Sequence, residues 1–211
     1  MLPKSIKQIS VDGQVWGAAL SEEQKCMYLE VRKEEKQSIT IARLDLEKLK
    51  IKSVKADLEW WDRLVGAWGE ELYFVKYLNK NDPTQRSFFC FDFKSKRKSN
   101  VDMLPSFDSA ATHPDVYEHG SDFFKTVSDF LSLELPLSCE YLEWRDKIII
   151  SYYLRSGNGF DRYLLLINQG EKEWKVKQDE QMKGFSPGAF FVFEHQLIFI
   201  KDRNEVCVYT G

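Results

Sequence analysis

Hydrophobic residues along this chain recur in short runs that are separated by polar turns. The clearest example is SCEYLEWRDKIIISYYL at 138–154. Glu140–Trp144 alternates polar and apolar residues, Arg145–Lys147 is polar, and Ile148–Leu154 is β-branched and aromatic. Alternation with period two and β-branched composition are typical of strands. The stretch therefore predicts a β-hairpin.

The same order of strand, turn and strand recurs four times, each time followed by a polar loop and a further strand. The most apolar strands of the four units are predicted at Cys26–Arg32, Leu72–Leu78, Ile148–Leu154 and Leu197–Arg203. Four antiparallel strands at a period of about 45 residues are typical of propeller blades. We therefore predict one all-β domain over 1–211, a small β-propeller-like array with units at about 12–56, 57–103, 138–183 and 184–211.

The last unit ends without a fourth strand, whereas an unassigned period-two segment, Ser5–Val11 (SIKQISV), precedes the first unit. We expect this segment to supply the missing strand beside Glu205–Thr210 and so to close the ring, because an open sheet edge invites pairing with another chain. One alternative is a frayed N-terminal strand. Another is an open half-ring that dimerises through the apolar edge at Val206–Val208.

An insertion at about 105–137 interrupts the repeat. Ser121 is a suitable N-cap, and Pro136 is a suitable stop for a helix. The apolar residues between them recur at helical spacing; these are Phe123, Phe124, Val127, Phe130 and Leu131. The pattern predicts one short amphipathic helix that plugs one mouth or covers one edge of the β-array.

The net charge and the distribution of apolar residues indicate which partners and which cellular location to expect. Charged residues make up 30% of the chain but the net charge is only -3, so we expect no nucleic-acid partner and no membrane partner. The first residues do not have the pattern of a signal peptide, and no stretch is long and apolar enough to span a membrane. We therefore expect a cytoplasmic protein, and we expect the four cysteines to be buried free thiols.

Candidate ligand-binding residues are few. Trp60 and Trp61 form the most suggestive aromatic cluster, and Tyr152 with Tyr153 form the second. Exposed rings at a propeller mouth stack on sugars, bases or cations, but large aromatics also pack between blades. Both ligand stacking and packing between blades therefore stay open for these four rings. If the rings bind a ligand, Glu143 or His113 would be the polar group of the site.

Catalytic, metal and cofactor sites are not indicated. His113 and His119 lie six residues apart on a loop with Pro114, which is no zinc spacing. Glu140 and Glu143 are three apart on a strand, so they point to opposite faces and do not form a catalytic pair. Nucleotide-binding and nucleophile motifs are missing. We expect no cofactor and no metal.

Several of these strand motifs resemble an uncharacterised Bacteroidetes family, domain of unknown function 4905. The resemblance is carried by VWGAALSEEQKCMYLEVR, LEWWDRLVGAWGEELYF, EYLEWRDKIIISYYL and LIFIKDRNEVCVY. The LDL and FDF turns also resemble those of quinoprotein-like and WD-type propellers. The resemblance implies a β-propeller-like fold in a Bacteroidetes cytoplasm, and it implies no activity and no site residues.

The sequence thus favours a non-catalytic binding or scaffolding module with a protein partner, present as a monomer or weak homodimer. Repeat arrays expose broad, rigid loop faces that suit such partners. The alternative is a small-molecule or carbohydrate-binding protein, or a hydrolase, that uses an aromatic propeller mouth.

Overall fold

A computed structural model describes residues 3–79, 82–107 and 110–211. The chain divides into two compact units, Ile9–Ala110 and Met1–Gln8 with Ala111–Gly211, and each is described by itself. The expectation of a single domain over 1–211 stays a prediction. The first strand, β1 (Ile6–Ser10), belongs to a sheet that is described with the second of these units.

The unit Ile9–Ala110 contains two antiparallel sheets, each built from four strands in chain order. The first sheet consists of β2 (Gln14–Ser21), β3 (Cys26–Lys33), β4 (Ser38–Asp45) and β5 (Lys50–Lys55). The second consists of β6 (Arg63–Trp68), β7 (Glu71–Tyr77), β8 (Arg86–Asp92) and β9 (Lys98–Val101). The predicted strands Cys26–Arg32 and Leu72–Leu78 correspond to β3 and β7 to within one residue at each end.

Aromatic side chains from both sheets form the core of this unit. Phe74 and Phe89 stack with ring centroids 5.2 Å apart, and Tyr28 meets Phe93 edge to face at 5.3 Å. Tyr28, Phe74 and Leu72 are fully buried. Because a buried aromatic removes a large apolar area from water, this core accounts for much of the unit's stability.

The other unit also contains two antiparallel sheets. One has five strands in the order β10 (Asp115–Tyr117), β11 (Cys139–Trp144), β12 (Lys147–Ser156), β13 (Gly159–Asn168) and β14 (Glu171–Met182). The other has the order β1, β17 (Glu205–Thr210), β16 (Gln196–Lys201) and β15 (Phe190–Phe193). The predicted hairpin is β11 and β12, paired through Trp144 and Lys147. The fold is therefore β-propeller-like, with four blade-like antiparallel sheets.

The N-terminal strand completes the last sheet, as predicted. β1 lies beside β17, and Gln8 donates a side-chain hydrogen bond of 2.8 Å to Glu205. Ile6 is only 6% exposed and packs in a core with Phe199 and Tyr209. The strand is not frayed, and the β17 edge that the dimer alternative needed is covered.

The predicted helix is confirmed as α1 (Asp122–Leu131), and Ser121 caps it by accepting a hydrogen bond from the Phe124 amide at 3.3 Å. Phe124 and Val127 are buried with residues of β12 and β13 such as Ile150 and Leu165. The helix therefore covers one face of the five-stranded sheet. Phe123 and Phe130, predicted on the same apolar stripe, are exposed. The short strand β10, within the same insertion, was not predicted.

All four cysteines are free and buried, as expected from the sequence. Burial raises the pKa of the Cys90 and Cys139 thiols to about 11. Thiolates are therefore scarce at neutral pH, and these side chains behave as small hydrophobic residues.

Glu140 of β11 is a buried carboxylate, 1% exposed, that accepts hydrogen bonds from the Gly188 amide at 2.5 Å and the Ala189 amide at 3.2 Å. It thereby ties β11 to the segment before β15. Burial raises its pKa above the ordinary 4.5, although the two amides act in the opposite direction. Glu143, three residues on, is exposed, so the two carboxylates do not converge, as predicted.

This raised pKa predicts a pH-dependent difference between the protein and Glu140→Gln. Because the pKa of Glu140 is higher in the folded state than in the unfolded state, protonation of this carboxyl stabilises the fold. This contribution to the free energy of unfolding is fully present below pH 4.5 and is lost as the pH rises through the native pKa. In thermal unfolding, the melting temperature of the protein relative to Glu140→Gln should therefore fall from pH 4 to pH 8. Glu143→Gln controls for loss of a carboxylate on the same strand. A difference that is constant or increases with pH would show the assignment to be wrong.

Candidate functional site

The side chains of Trp16, Trp60 and Arg63 lie together in the unit Ile9–Ala110, and Trp61 follows Trp60 on the same turn. We call these four side chains the tryptophan end. The rings of Trp16 and Trp60 meet edge to face with centroids 5.7 Å apart. The Arg63 guanidinium carbon lies 5.0 Å from the centroid of Trp16. Trp61 is 49% exposed and Trp16 is 37% exposed. The surface is thus aromatic and cationic, and it is open to solvent.

A buried ion pair lies directly beneath these rings. Arg32 is 0% exposed and Glu30 is 1% exposed, and Arg32 Nε donates to Glu30 Oε1 at 2.5 Å. The Arg32 guanidinium carbon also lies 4.7 Å from the Trp16 centroid and 5.0 Å from that of Trp60. Because a cation is attracted to the face of an indole ring, Arg32 holds both tryptophans in place.

The same pair connects β3 to the start of β6. The two terminal nitrogens of Arg32 donate to the carbonyl oxygens of Trp60 and Asp62. Glu30 Oε2 accepts the amide hydrogen of Leu64 at 2.8 Å. The turn that carries Trp60 and Trp61 is therefore fixed by buried charge-assisted hydrogen bonds, which are stronger than neutral ones.

Asp62 completes the turn. It is 1% exposed, and its Oδ2 accepts the Glu59 amide hydrogen at 2.8 Å. Its other oxygen is buried and has no hydrogen-bond partner among the residues that the structure describes. Burial raises the pKa of this carboxyl, against the effect of the Glu59 hydrogen bond. Asp62 therefore stabilises the loop through a buried hydrogen bond, and its carboxyl group is not exposed to solvent.

Trp16 reaches the surface because of a β-bulge. The pairing of β2 with β3 shifts between Val15 and Gly17, which leaves Trp16 as the extra residue. Bulges of this kind re-aim a side chain. The bulge is not recognisable from the sequence pattern alone, and Trp16 was not among the predicted site residues.

The six predicted site residues lie in both units. Trp60 is partly buried in the aromatic stack and Trp61 is exposed. In the other unit, Glu143 is exposed and accepts a hydrogen bond from the Tyr141 hydroxyl at 2.8 Å. His113 is exposed, with its ring 5.9 Å from that of Phe191. Whether any of these residues binds a ligand stays a prediction.

The two predicted tyrosine platforms are core residues. Tyr152 is 2% exposed and Tyr153 is 0% exposed. The Tyr153 hydroxyl donates to the Ser186 carbonyl and accepts from the Ser186 amide, both at 3.1 Å. Neither ring presents a face to solvent, so in this conformation neither is placed to stack on a ligand.

The described residues were considered for two features, a metal-binding cluster and a membrane-spanning helix, and contain neither. In the described ranges, no group of three or more His, Cys, Asp or Glu side chains is arranged to hold a metal ion. The helix in those ranges is too short to cross a membrane.

Comparison with protein-family models shows a similarity over part of the chain. The model of a Domain of unknown function (DUF4905) matches residues 20–99, which lie within the unit Ile9–Ala110. No curated protein matches the chain.

Solved structures similar to this chain include two Pyrococcus proteins. One is the β-propeller domain of the trilobed protease from Pyrococcus furiosus, which has an open velcro topology. Its sequence is 16% identical to this chain and the TM-score is 0.30. The similarity covers 94% of this chain and 56% of that chain. The other is the acylaminoacyl peptidase of Pyrococcus horikoshii, 13% identical, with a TM-score of 0.26, over 94% of this chain and 38% of that one. This chain thus spans little more than half of the first and less than half of the second.

The antiparallel four-stranded sheets and the matched segment agree with the resemblance seen in the sequence. The chain has a β-propeller-like arrangement of strands, and its residues 20–99 are similar to a Domain of unknown function (DUF4905).

Proposed function

We propose that this chain is a non-catalytic binding module that holds a protein partner at the tryptophan end. The observation that carries this proposal is the exposure of Trp61, 49%, on a turn fixed by the buried pair of Glu30 and Arg32. Covering an apolar ring of this size by a partner is favourable, and a ring on a turn that is already fixed loses little conformational freedom when it is covered.

The residue types at this surface support a protein partner. Tryptophan and arginine are the side chains most enriched at positions that dominate the energy of protein interfaces. Trp16 and Arg63, which are in contact, provide both types, and Trp61 adds an exposed ring on the turn that carries Trp60. Because Arg32 already fixes the neighbouring rings, little conformational entropy is lost on binding.

The alternative is a small-molecule or carbohydrate-binding protein, or a hydrolase, with an aromatic mouth. That function requires accessible platforms, and Tyr152 and Tyr153 are buried. Of the four predicted aromatic platforms, Trp60, Trp61, Tyr152 and Tyr153, Trp61 is the one that is exposed. The geometry therefore supports the protein-binding proposal better.

We further propose a cytoplasmic, monomeric protein with no nucleic-acid or membrane partner. The net charge of -3 provides no strong field for a polyanion. Coverage of β17 by β1 supports a monomer, since it removes one edge through which two copies could pair.

Replacing Trp61 tests the proposal. We expect Trp61→Ala to weaken binding of the partner by at least about 30-fold, the loss of one interface hot spot of about 2 kcal/mol. Partners are identified by affinity capture from the source cells with quantitative mass spectrometry, and the dissociation constant of the purified pair is then measured by calorimetry.

Trp68→Ala is the matched control. Trp68 is 59% exposed in the same unit but lies at the other end of β6, so its removal should leave partner binding unchanged. If Trp61→Ala binds as tightly as the unmodified protein, or if both variants lose the partner equally, the tryptophan end is not the binding surface. Loss of binding to a neutral oligosaccharide on Trp61→Ala would favour the alternative.

A further inference from the structure

A cleft of about 450 Å³ lies at the opposite end of β6 from the tryptophan end. It is built from the end of β2 and the turn after it, the end of β6 and the turn after it, and a segment that follows β9. The described residues that line it include Ser21, Glu22, Glu23, Trp68 and Phe107. Its volume is in the range of small-ligand sites.

One wall of the cleft is held in place by a close contact that only glycine permits. A Cβ atom at Gly66 would lie 2.5 Å from three atoms of the Phe107 ring. The same ring lies 5.4 Å from that of Tyr73. Phe107 is therefore seated on β6 and β7, and it forms a wall of the cleft together with the end of β6.

The turn after β2 contributes two carboxylates to the lining of the cleft. Glu22 accepts a hydrogen bond from the Ala110 amide, which fixes its direction. The Glu23 carboxylate lies 3.6 Å from the position of a Cβ atom on Gly69. Of the described residues that line the cleft, two are acidic and none is basic. The lining thus combines negative charge with the exposed indole of Trp68.

A buried polar group gives an independent indication of a ligand. Ser21 lines the cleft and is 2% exposed, and its hydroxyl oxygen has no hydrogen-bond partner among the described residues. A buried hydroxyl without a partner is costly, and such groups in native proteins call for a water or a ligand.

From these features we propose that the cleft binds an organic cation, an ammonium or guanidinium group on a hydrocarbon stem. The carboxylates of Glu22 and Glu23 accept the charged donor, and the Trp68 face attracts the cation while Phe107 covers the stem. A free amine shares this chemistry with a lysine or arginine side chain of a protein other than the partner at the tryptophan end. This site is separate from the proposed protein-binding surface and does not depend on it.

Titration of the full chain with defined probes tests the proposal, with binding followed by NMR chemical shifts of the indole N–H groups. The probes are n-butylammonium, n-butylguanidinium, and the N-acetylated, C-amidated pentapeptides Gly-Gly-Lys-Gly-Gly and Gly-Gly-Arg-Gly-Gly, with the blocked pentapeptide that has norleucine at the central position as the uncharged control. We expect a dissociation constant of about 1 mM or below for the cations, with shifts at Trp68 and not at Trp61. Tighter binding of the peptides than of the small cations would identify a protein side chain as the source; the reverse would identify a free amine.

Two variants separate charge from structure. Glu22→Gln/Glu23→Gln keeps an oxygen for the Ala110 amide but removes both charges, and it should weaken cation binding by at least about tenfold without changing the melting temperature. Trp61→Ala should leave cation binding unchanged. The proposal is overturned if the uncharged norleucine pentapeptide binds as well as the lysine one, if no cation binds the unmodified protein, or if the double variant binds as tightly.

Discussion

Arg32→Ala is expected to lower the free energy of unfolding by about 3–5 kcal/mol, because removing one partner of a buried ion pair leaves the other charge unpaired. Glu30 would lose its guanidinium partner, and the carbonyl oxygens of Trp60 and Asp62 would lose their donors. The measurement is urea unfolding followed by circular dichroism, with the change read from the midpoint at an unchanged slope.

Two further variants test whether the loss of stability arises because the ion pair of Glu30 and Arg32 is buried, or simply because a charged residue is removed. Lys33→Ala removes a neighbouring cation that pairs with Asp12, whose side chain is 92% exposed, and it should cost only about 0–1 kcal/mol. Glu30→Gln/Arg32→Met should be less destabilised than Arg32→Ala, since no uncompensated charge remains. A loss below about 1 kcal/mol for Arg32→Ala would contradict the role given to this pair.

Ile6→Asp is expected to detach the N-terminal strand, with a loss of about 3 kcal/mol or more, because it places a charge in the core around Phe199 and Tyr209. The β17 edge, with the apolar Val206–Val208, would then be exposed and should pair with a second copy. Urea unfolding gives the stability, and size-exclusion chromatography with light scattering gives the mass.

Lys7→Asp is the matched control for this substitution. Lys7 is the adjacent residue of β1 and is exposed, so the same new charge would face solvent. It should change neither the stability nor the mass appreciably. If Ile6→Asp were as stable and as monomeric as Lys7→Asp, β1 would not be an integral strand of the last sheet.

The sheets were predictable because each strand is long enough to show its period. The strands in the four repeated units have alternating or continuous apolar runs, and the polar turns between them contain the residues that turns require. β10 escaped prediction because it has only three residues, DVY, within a segment otherwise read as loop and helix. Its pairing with β11 depends on tertiary contacts and not on any local period.

The candidate site was predictable only in part. Trp60 and Trp61 were identified because two adjacent tryptophans precede a strand, but adjacency does not say which ring is exposed. A clearer signal was available in CMYLEVR, where Glu30 and Arg32 occupy alternate positions of a strand that is otherwise apolar. Buried charges at that spacing share one face of the sheet and so indicate an ion pair.

The cleft was not predictable from the sequence. Its lining comes from two turns and a segment that are far apart in the chain, and no motif connects them. Phe107 is positioned by the missing side chain of Gly66, and that relation becomes visible only in three dimensions. Tyr152 and Tyr153 illustrate the converse, since an aromatic pair that suggests a platform in the sequence packs into the core.

The most direct test of the binding proposal is hydroxyl-radical footprinting of the protein alone and with its captured partner, read by mass spectrometry of tryptophan oxidation. Trp16, Trp61 and Trp68 are 37%, 49% and 59% exposed, so all three should be oxidised in the free protein. We predict that the partner protects Trp16 and Trp61 and leaves Trp68 unprotected. Protection of Trp68 alone, or of none of the three, would contradict binding at the tryptophan end.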